Sequence, residues 1–454
     1  GSDGRPRHGT LRRPVTPSPP PTPPPRILIG RIEPTTRRAG VPVKRSLGDV
    51  TRVTCDVVRD GHDVVRAALL HRAPGAAGAV EIPLRQEGPD NRWADVPLTA
   101  LGVHEFEITA WIDPFASWHG EMERKVAAGQ RDLDSELAEG AALVTALAAD
   151  LDGADRDRAV TLAGVLGSDA PASERAAAAL ASDLVEVMGR TRTRREQTRS
   201  ETFLIDVDRE RARVGVWYEL FPRSFGGLAG VAARLPRLAE LGGDVLYLPP
   251  IHPIGITHRK GRNNSPTAEP GDVGSPWAIG ADAGGHTAVE PSIGTLDDLE
   301  ALVRAAARHG IEIALDFAIQ CSPAHPWLRG HPEWFNRRPD GTLKYAENPP
   351  KRYQDIYNVN WDSADWRGLW AALRDAVLFW VHRGIRIFRV DNPHTKPIGF
   401  WEWLIRTVRD EHPDVVFLAE AFTSPARMYA LAEAGFSQSY TYFTWKNSAG
   451  ELAD

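Results

Sequence analysis

Two short apolar runs each end on a carboxylate: Gly384-Ile385-Arg386-Ile387-Phe388-Arg389-Val390-Asp391 and Val415-Val416-Phe417-Leu418-Ala419-Glu420. The acids stand 29 positions apart (391 to 420), which leaves room for one crossover helix between two parallel strands. Both would then emerge at the same edge of one sheet, and in a (β/α)8 barrel that edge carries the chemistry. Two carboxylates facing one pocket suggest glycosyl transfer, with one as nucleophile and the other as acid/base. Arg389 precedes Asp391 by two residues and so shares its face of the pleat, where a guanidinium would favour the ionised acid. An ordinary buried Arg–Asp pair explains that motif equally well. Glu420 shifts the balance. It follows Ala419 and precedes Ala421-Phe422, so burial and a neighbouring negative charge would both raise its pKa toward that of a general acid.

The elements that must position these acids are legible from Val214 onward, where apolar strands and amphipathic helices alternate. The pattern predicts strands at Val214 to Tyr218, Val245 to Leu248, Ile311 to Phe317, Ile385 to Val390, Val415 to Ala419 and Ser439 to Phe443. A helix is predicted from Leu296 to His309, with Thr295 as N-cap and Gly310 as its stop. Such β-then-α units mean a parallel sheet covered by helices. The pattern alone does not separate an open sheet from a barrel; with six strands visible and eight needed for closure, a (β/α)8 (TIM) barrel truncated after about six strands is expected. No Gly-rich phosphate loop follows the first strand, which disfavours a dinucleotide fold. The long interval at about 321–365 reads as an inserted lid over the pocket.

Upstream, the periodicity divides the chain further. Residues 1–25 are Pro-, Arg- and Thr-rich and read as a disordered tail. Residues 26–118 alternate with period two, as in Val53, Cys55 and Val57, and read as a β-sandwich. Residues 119–200 carry apolar side chains at helical spacing, among them Leu133, Leu137, Val144, Leu147 and Leu151, and read as a helical domain. Its Ala-rich faces suggest a homodimer contact, a mere spacer between domains fitting equally well, and the Arg-dense run Arg190 to Arg199 reads as a solvated helix face. The catalytic barrel is expected from 201 to 454.

Composition narrows the partners. With 54 Lys and Arg against 60 Asp and Glu the net charge is −6, which argues against a nucleic-acid binder. No apolar stretch reaches membrane-spanning length and no secretory h-region opens the chain, so a cytoplasmic protein without a membrane partner is expected. The two cysteines, Cys55 and Cys321, fall in different domains and offer neither a disulfide framework nor a zinc spacing. No metal and no organic cofactor is expected. The 14 tryptophans are many, but in large enzymes most are core.

Three stretches, Asp316 to His325, Gly384 to His394 and Phe417 to Phe422, resemble the first three signature regions of the α-amylase superfamily of retaining α-glycosidases and transglycosylases. Longer strings are similar to one family within it, the α-1,4-glucan:maltose-1-phosphate maltosyltransferases: Leu248 to Gly255, His258 to Asn264, Pro349 to Tyr357 and Arg389 to Pro397. The resemblance implies Asp391 as nucleophile and Glu420 as acid/base. It implies that Lys260, Gln320, Asp355 and Asn392 bind the donor, α-maltose 1-phosphate, with Asn348, Lys351 and Tyr353 near its phosphate, and that the acceptor is an α-1,4-glucan. A sugar phosphate brings about two negative charges, which Lys260, Lys351 and Arg352 could meet from loops. His394 follows Asp391 by three positions where the superfamily usually has four, and a fourth region, which would supply a third acid, is not found. Two alternatives stay open: an amylase-type α-glucan hydrolase, which needs no cationic clamp, and a non-catalytic glucan-binding fragment.

Overall fold

The computed structural model describes residues 21–453; the predicted tail lies outside them except for residues 21–25. At its centre is a six-stranded, wholly parallel sheet whose spatial order is the chain order. Its strands are β1 (Trp217–Glu219), β2 (Val245–Leu248), β3 (Glu312–Phe317), β4 (Ile387–Val390), β5 (Val416–Ala419) and β6 (Gln438–Ser439). Three of the covering helices are α1 (Leu296–Arg308), α2 (Trp366–Val381) and α3 (Ile398–Glu411). Thr295 caps α1 through a reciprocal capping box with Asp298, as the sequence predicts.

The pleat sorts the side chains. Leu246, Leu248, Ile313, Leu315, Phe388, Val390 and Phe417 point outward into the large core beneath the helices, where they meet Leu299, Leu373, Val377, Phe400 and Leu404. Their alternates, Val245, Tyr247, Ala314, Ile387 and Val416, form a small cluster on the opposite, inner face. Strands buried on both faces are near-continuously apolar because water reaches neither side. Any polar residue on the inner face is therefore conspicuous, and Asp316 and Arg389 both lie there. The edge strands differ from expectation. β1 begins at Trp217 rather than Val214, and β6 stops at Ser439, where Thr441 caps a 3-10 turn at Tyr442–Trp445.

The predicted lid is not a structureless loop. Gln320–Cys321, Lys351–Asn358 and Tyr345–Asn348 form a three-stranded antiparallel sheet, with Gln320 paired to Asn358. This ties a long hairpin directly to the C-terminal end of β3.

The N-terminal region folds as two sheets around one core. One sheet has the order Leu28–Glu33, Val50–Val58, Asn91–Pro97, Arg85–Glu87. The other is centred on Gly102–Ile112, and Val53, Cys55 and Val57 of the first sheet pack with Leu69, Phe106 and Ile108 of the second. The boundary drawn from sequence at 200 needs correction. Arg195–Arg199 pairs with Gly102–Ile112, and so does Phe203–Asp208, which continues into a parallel pairing with Val43–Ser46. The run Arg190 to Arg199, expected on a helix face, thus ends in an edge strand. Long-range pairing overrides its local pattern. The helices between Pro114 and Met188 form an insertion with their own core, in which the ring of Trp118 occupies the space that a Cβ on Gly140 would need. Among the described residues no helix is long and apolar enough to cross a membrane.

A buried ion network joins the antiparallel sheets to the parallel one. Ile205 and Val207 face the sandwich core, so Asp206 and Asp208 face the other way. There Asp206 meets Arg409 of α3 at 2.9 Å and Lys44 at 3.0 Å, and Asp208 meets both cations as well. Burial lowers the Lys44 ammonium to about 8 against the opposing pull of Asp206.

Candidate active site

Arg389 occupies the centre of the polar edge above the sheet. From the inner face of β4 its guanidinium donates to Asp316 Oδ2 at 2.8 Å and Asp391 Oδ1 at 3.1 Å, and it pairs with Glu420 Oε1 at 2.7 Å. The pairing register makes this possible. Asp316 lies opposite Arg389 across β3 and β4, and Arg389 opposite Leu418 across β4 and β5, which puts Asp391 and Glu420 together one step beyond the last paired residues. Asp391 Oδ2 accepts from Gln320 Nε2 at 2.6 Å. Glu420 Oε2 accepts from the Asn392 backbone N–H at 3.2 Å, and Asn392 takes a left-handed conformation, φ 42°. Asp391, Glu420, Gln320 and Asn392 are therefore one hydrogen-bonded constellation.

Burial raises the Glu420 carboxyl; Arg389 opposes that shift and Asp391 reinforces it. The direction is the one a general acid requires. Asp316, whose side chain is fully buried, is pushed up to about 7 by burial, against Arg389 and with help from Asp391. Its Oδ2 also accepts from the Tyr247 hydroxyl at 2.6 Å. Asp316 and Tyr247 were not among the residues singled out from sequence as the site. The available signal was a polar side chain on the inward parity of an apolar strand, which for Asp316 was visible and for Tyr247 was not, since a tyrosine in a strand is ordinary core.

The remaining predicted residues lie on the hairpin and on the loop after β2. Lys260 is buried and donates to Gln354 Oε1 at 2.9 Å. Asp355, next along the strand, is buried and raised by that burial, with Lys260 acting against the shift. Gln354 was not foreseen as the partner of Lys260. Asn348 and Lys351 pair at the tip of the hairpin, both exposed, and Tyr353 packs on the small cluster of Ile254, Ala278 and Ile356. Among the described residues no hydrogen bond links Asn348, Lys351 or Tyr353 to the carboxylates. The hairpin places them on one strand pair anchored beside Gln320, and no closer than that.

Behind Gln320 lies a chain of buried histidines. His286 Nε2 bonds Ala318 O at 2.9 Å, His286 Nδ1 meets His325 Nε2 at 3.0 Å, and His325 Nδ1 accepts from the Trp327 N–H at 3.1 Å. A carbonyl can only accept, so His286 carries its proton on Nε2 and offers Nδ1 to the N–H of His325. Both rings are neutral, and burial drives His286 well down and His325 to about 3. Although His286, Cys321 and His325 stand close enough to share an ion, no imidazole lone pair is free to bind one. The chain instead braces the backbone at Ala318, two residues before Gln320.

Comparison with known proteins bears on 94% of the chain. Residues 25–209 match the family model of α-1,4-glucan:maltose-1-phosphate maltosyltransferase, domain N/S, a span that closes one residue after the last sandwich strand. Residues 193–368 match the α-amylase catalytic domain. Three relatives bear the name α-1,4-glucan:maltose-1-phosphate maltosyltransferase. The Burkholderia pseudomallei protein is 50% identical over 441 residues, covering 94% of this chain and 39% of its own length. The Chlorobaculum tepidum protein is 44% identical over 440 residues, covering 94% and 65%. The Mycolicibacterium smegmatis protein is 44% identical over 474 residues, covering 94% and 67%. The chain thus spans between about two fifths and two thirds of the relatives' lengths, and by sequence it belongs to the family of α-1,4-glucan:maltose-1-phosphate maltosyltransferases.

Proposed function

We propose that this chain carries the donor-side machinery of a retaining maltosyltransferase, on a sheet read as six strands of a (β/α)8 barrel. The observation that carries the reading is the single buried guanidinium of Arg389 shared by Asp391 and Glu420 at one sheet edge, with Gln320 on the far oxygen of Asp391. That arrangement suits a double displacement. Asp391 attacks the anomeric carbon of α-maltose 1-phosphate, the bond from that carbon to the phosphate oxygen breaks, and phosphate departs with the electron pair. Glu420 then takes the proton of an α-glucan 4-hydroxyl, whose oxygen attacks the same carbon and displaces the Asp391 carboxylate. Two inversions give net retention. Lys260 and Asp355 supply a charged pair for the donor's sugar, Gln320 and Asn392 orient it beside Asp391, and Asn348, Lys351 and Tyr353 on the hairpin receive the phosphate.

Phosphate leaves readily, so Glu420 matters more in the second step than in the first. A Glu420→Ala variant treated with maltosyl fluoride should accumulate maltosyl-enzyme on Asp391, detected by mass spectrometry. Incubating the chain with maltose 1-phosphate and a maltooligosaccharide should release phosphate and lengthen the acceptor in two-sugar steps. Release of reducing sugar without lengthening would favour an amylase-type hydrolase, and binding without turnover a glucan-binding fragment. The free, buried Cys55 and Cys321 support a reducing, cytoplasmic setting. The Ala-rich helical insertion is the surface proposed for a homodimer, which light scattering at micromolar concentration would test.

A further inference from the structure

The β4–β5 ladder ends at the pair Val390 and Ala419, yet the chain must still place three more peptide units beside the acids. Their carbonyls have left the sheet and need donors from elsewhere. Backbone N–H groups of the turn supply part of them, Thr395 to Asn392 O at 3.2 Å and Lys396 to Pro393 O at 3.1 Å, and side chains supply the rest. Lys396 Nζ donates to Asp391 O and to Asn392 O, each at 3.1 Å, Thr395 Oγ1 donates to Asn392 O at 2.8 Å, and Trp401 Nε1 donates to Pro393 O at 2.9 Å. Lys396 is the charged member of this set and the one that spans two consecutive carbonyls.

The Asp391–Asn392 peptide is the important one. A trans peptide is a rigid plane whose C=O and N–H point in opposite directions. Here the C=O end is gripped by Lys396 and the N–H end donates to Glu420 Oε2. Fixing one end fixes the other. A cation on the oxygen also polarises the amide and makes its N–H a better donor. The same plane leads into the left-handed turn at Asn392, a conformation that asparagine enters more readily than most residues with a Cβ.

We propose that Lys396 is a positioning residue that holds the Asp391–Asn392 peptide so that its N–H bears on Glu420, coupling the turn of the nucleophile to the acid/base. This rests on the roles given to Asp391 and Glu420 above, and its test separates the two. Lys396→Met removes the donor at nearly constant size, Lys396→Gln keeps an N–H donor without charge, and Lys396→Arg keeps both. Hydrogen exchange at the Asn392 amide, read by fragmentation mass spectrometry, needs no turnover. It should rise by on the order of tenfold in Lys396→Met, less in Lys396→Gln, and little in Lys396→Arg, while amides of β4 stay unchanged. Should Lys396→Met fail to fold, Lys396→Gln decides. In the phosphate-release assay Lys396→Met should lower kcat by about ten- to a hundredfold with KM little changed, and Lys396→Arg should restore part of it. Added to Glu420→Ala, the Met substitution should cost nothing further. Unchanged exchange at Asn392 in Met and Gln variants overturns the role of Lys396. Failure of the unsubstituted chain to release phosphate would instead count against the proposed function and leave the exchange result to judge Lys396.

Discussion

Replacing Arg389 by Met would remove the cation that touches Asp316, Asp391 and Glu420 together, at 2.8, 3.1 and 2.7 Å, from a site where its side chain is only 9% exposed. Removing one partner of a buried ion pair costs about 3–5 kcal/mol, because the remaining charge stays buried. The cost should depend on pH, and its sign follows from the acids. Asp316 titrates near 7 in the folded protein, above the ordinary carboxyl range of an unfolded chain, and Glu420 is shifted in the same direction. A group raised on folding binds its proton more tightly in the native state. Its favourable contribution is complete below the unfolded pKa and is lost as pH rises through the folded one. Arg389 is the influence that holds both carboxyls down, so Arg389→Met raises them further and steepens the loss. At pH 8 the variant should melt lower than the parent by on the order of 10 °C, taking roughly 2–4 °C per kcal/mol for a domain of this size. At pH 5 the difference should shrink, since a protonated Asp316 no longer needs the cation. Thermal melts of parent and variant at the two pH values, followed by near-UV circular dichroism, measure this directly. A difference that is independent of pH, or larger at pH 5, would refute the view that Arg389 acts by neutralising these acids.

Two further substitutions probe the supports around the site. Tyr247→Phe removes the hydroxyl that donates to Asp316 and should cost about 1–3 kcal/mol. The loss should be larger at pH 8 than at pH 5, because that hydroxyl favours the ionised carboxyl. Arg409→Met leaves Lys44 as the cation paired with Asp206 and Asp208 and should destabilise by about 3–5 kcal/mol. Limited proteolysis should then cut between the sandwich and the parallel sheet, at residues 209–216, faster than in the parent; an unchanged rate would show that the ion network does not hold the two together.

Some of this was legible in the residues. Strand identity was readable at β2, β4 and β5 because strands buried on both faces must be apolar throughout, and that leaves a run no amphipathic helix would show. The same logic made Asp391 and Glu420 stand out, since each ends such a run. The capping box at Thr295 and Asp298 is local chemistry and needed no tertiary context. Other features were out of reach. Arg195–Arg199 and Phe203–Asp208 are short, and their partner residues lie 83 to 105 positions earlier in the chain, across the whole helical insertion. Nothing local announces such a pairing. Likewise Gln354 is one polar residue among several on its strand until the fold brings Lys260 beside it.

The sequence by itself determined which residue types stand at the ends of the parallel strands, because burial and period-two geometry restrict what such strands can contain. Only the tertiary structure decided how those residues share charge. Arg389 was read as the partner of Asp391, its neighbour two positions away. The pairing register adds Asp316 and Glu420 to the same guanidinium, which works against the burial that raises both. Electrostatic coupling depends on distance and burial in space, and neither is encoded in spacing along the chain.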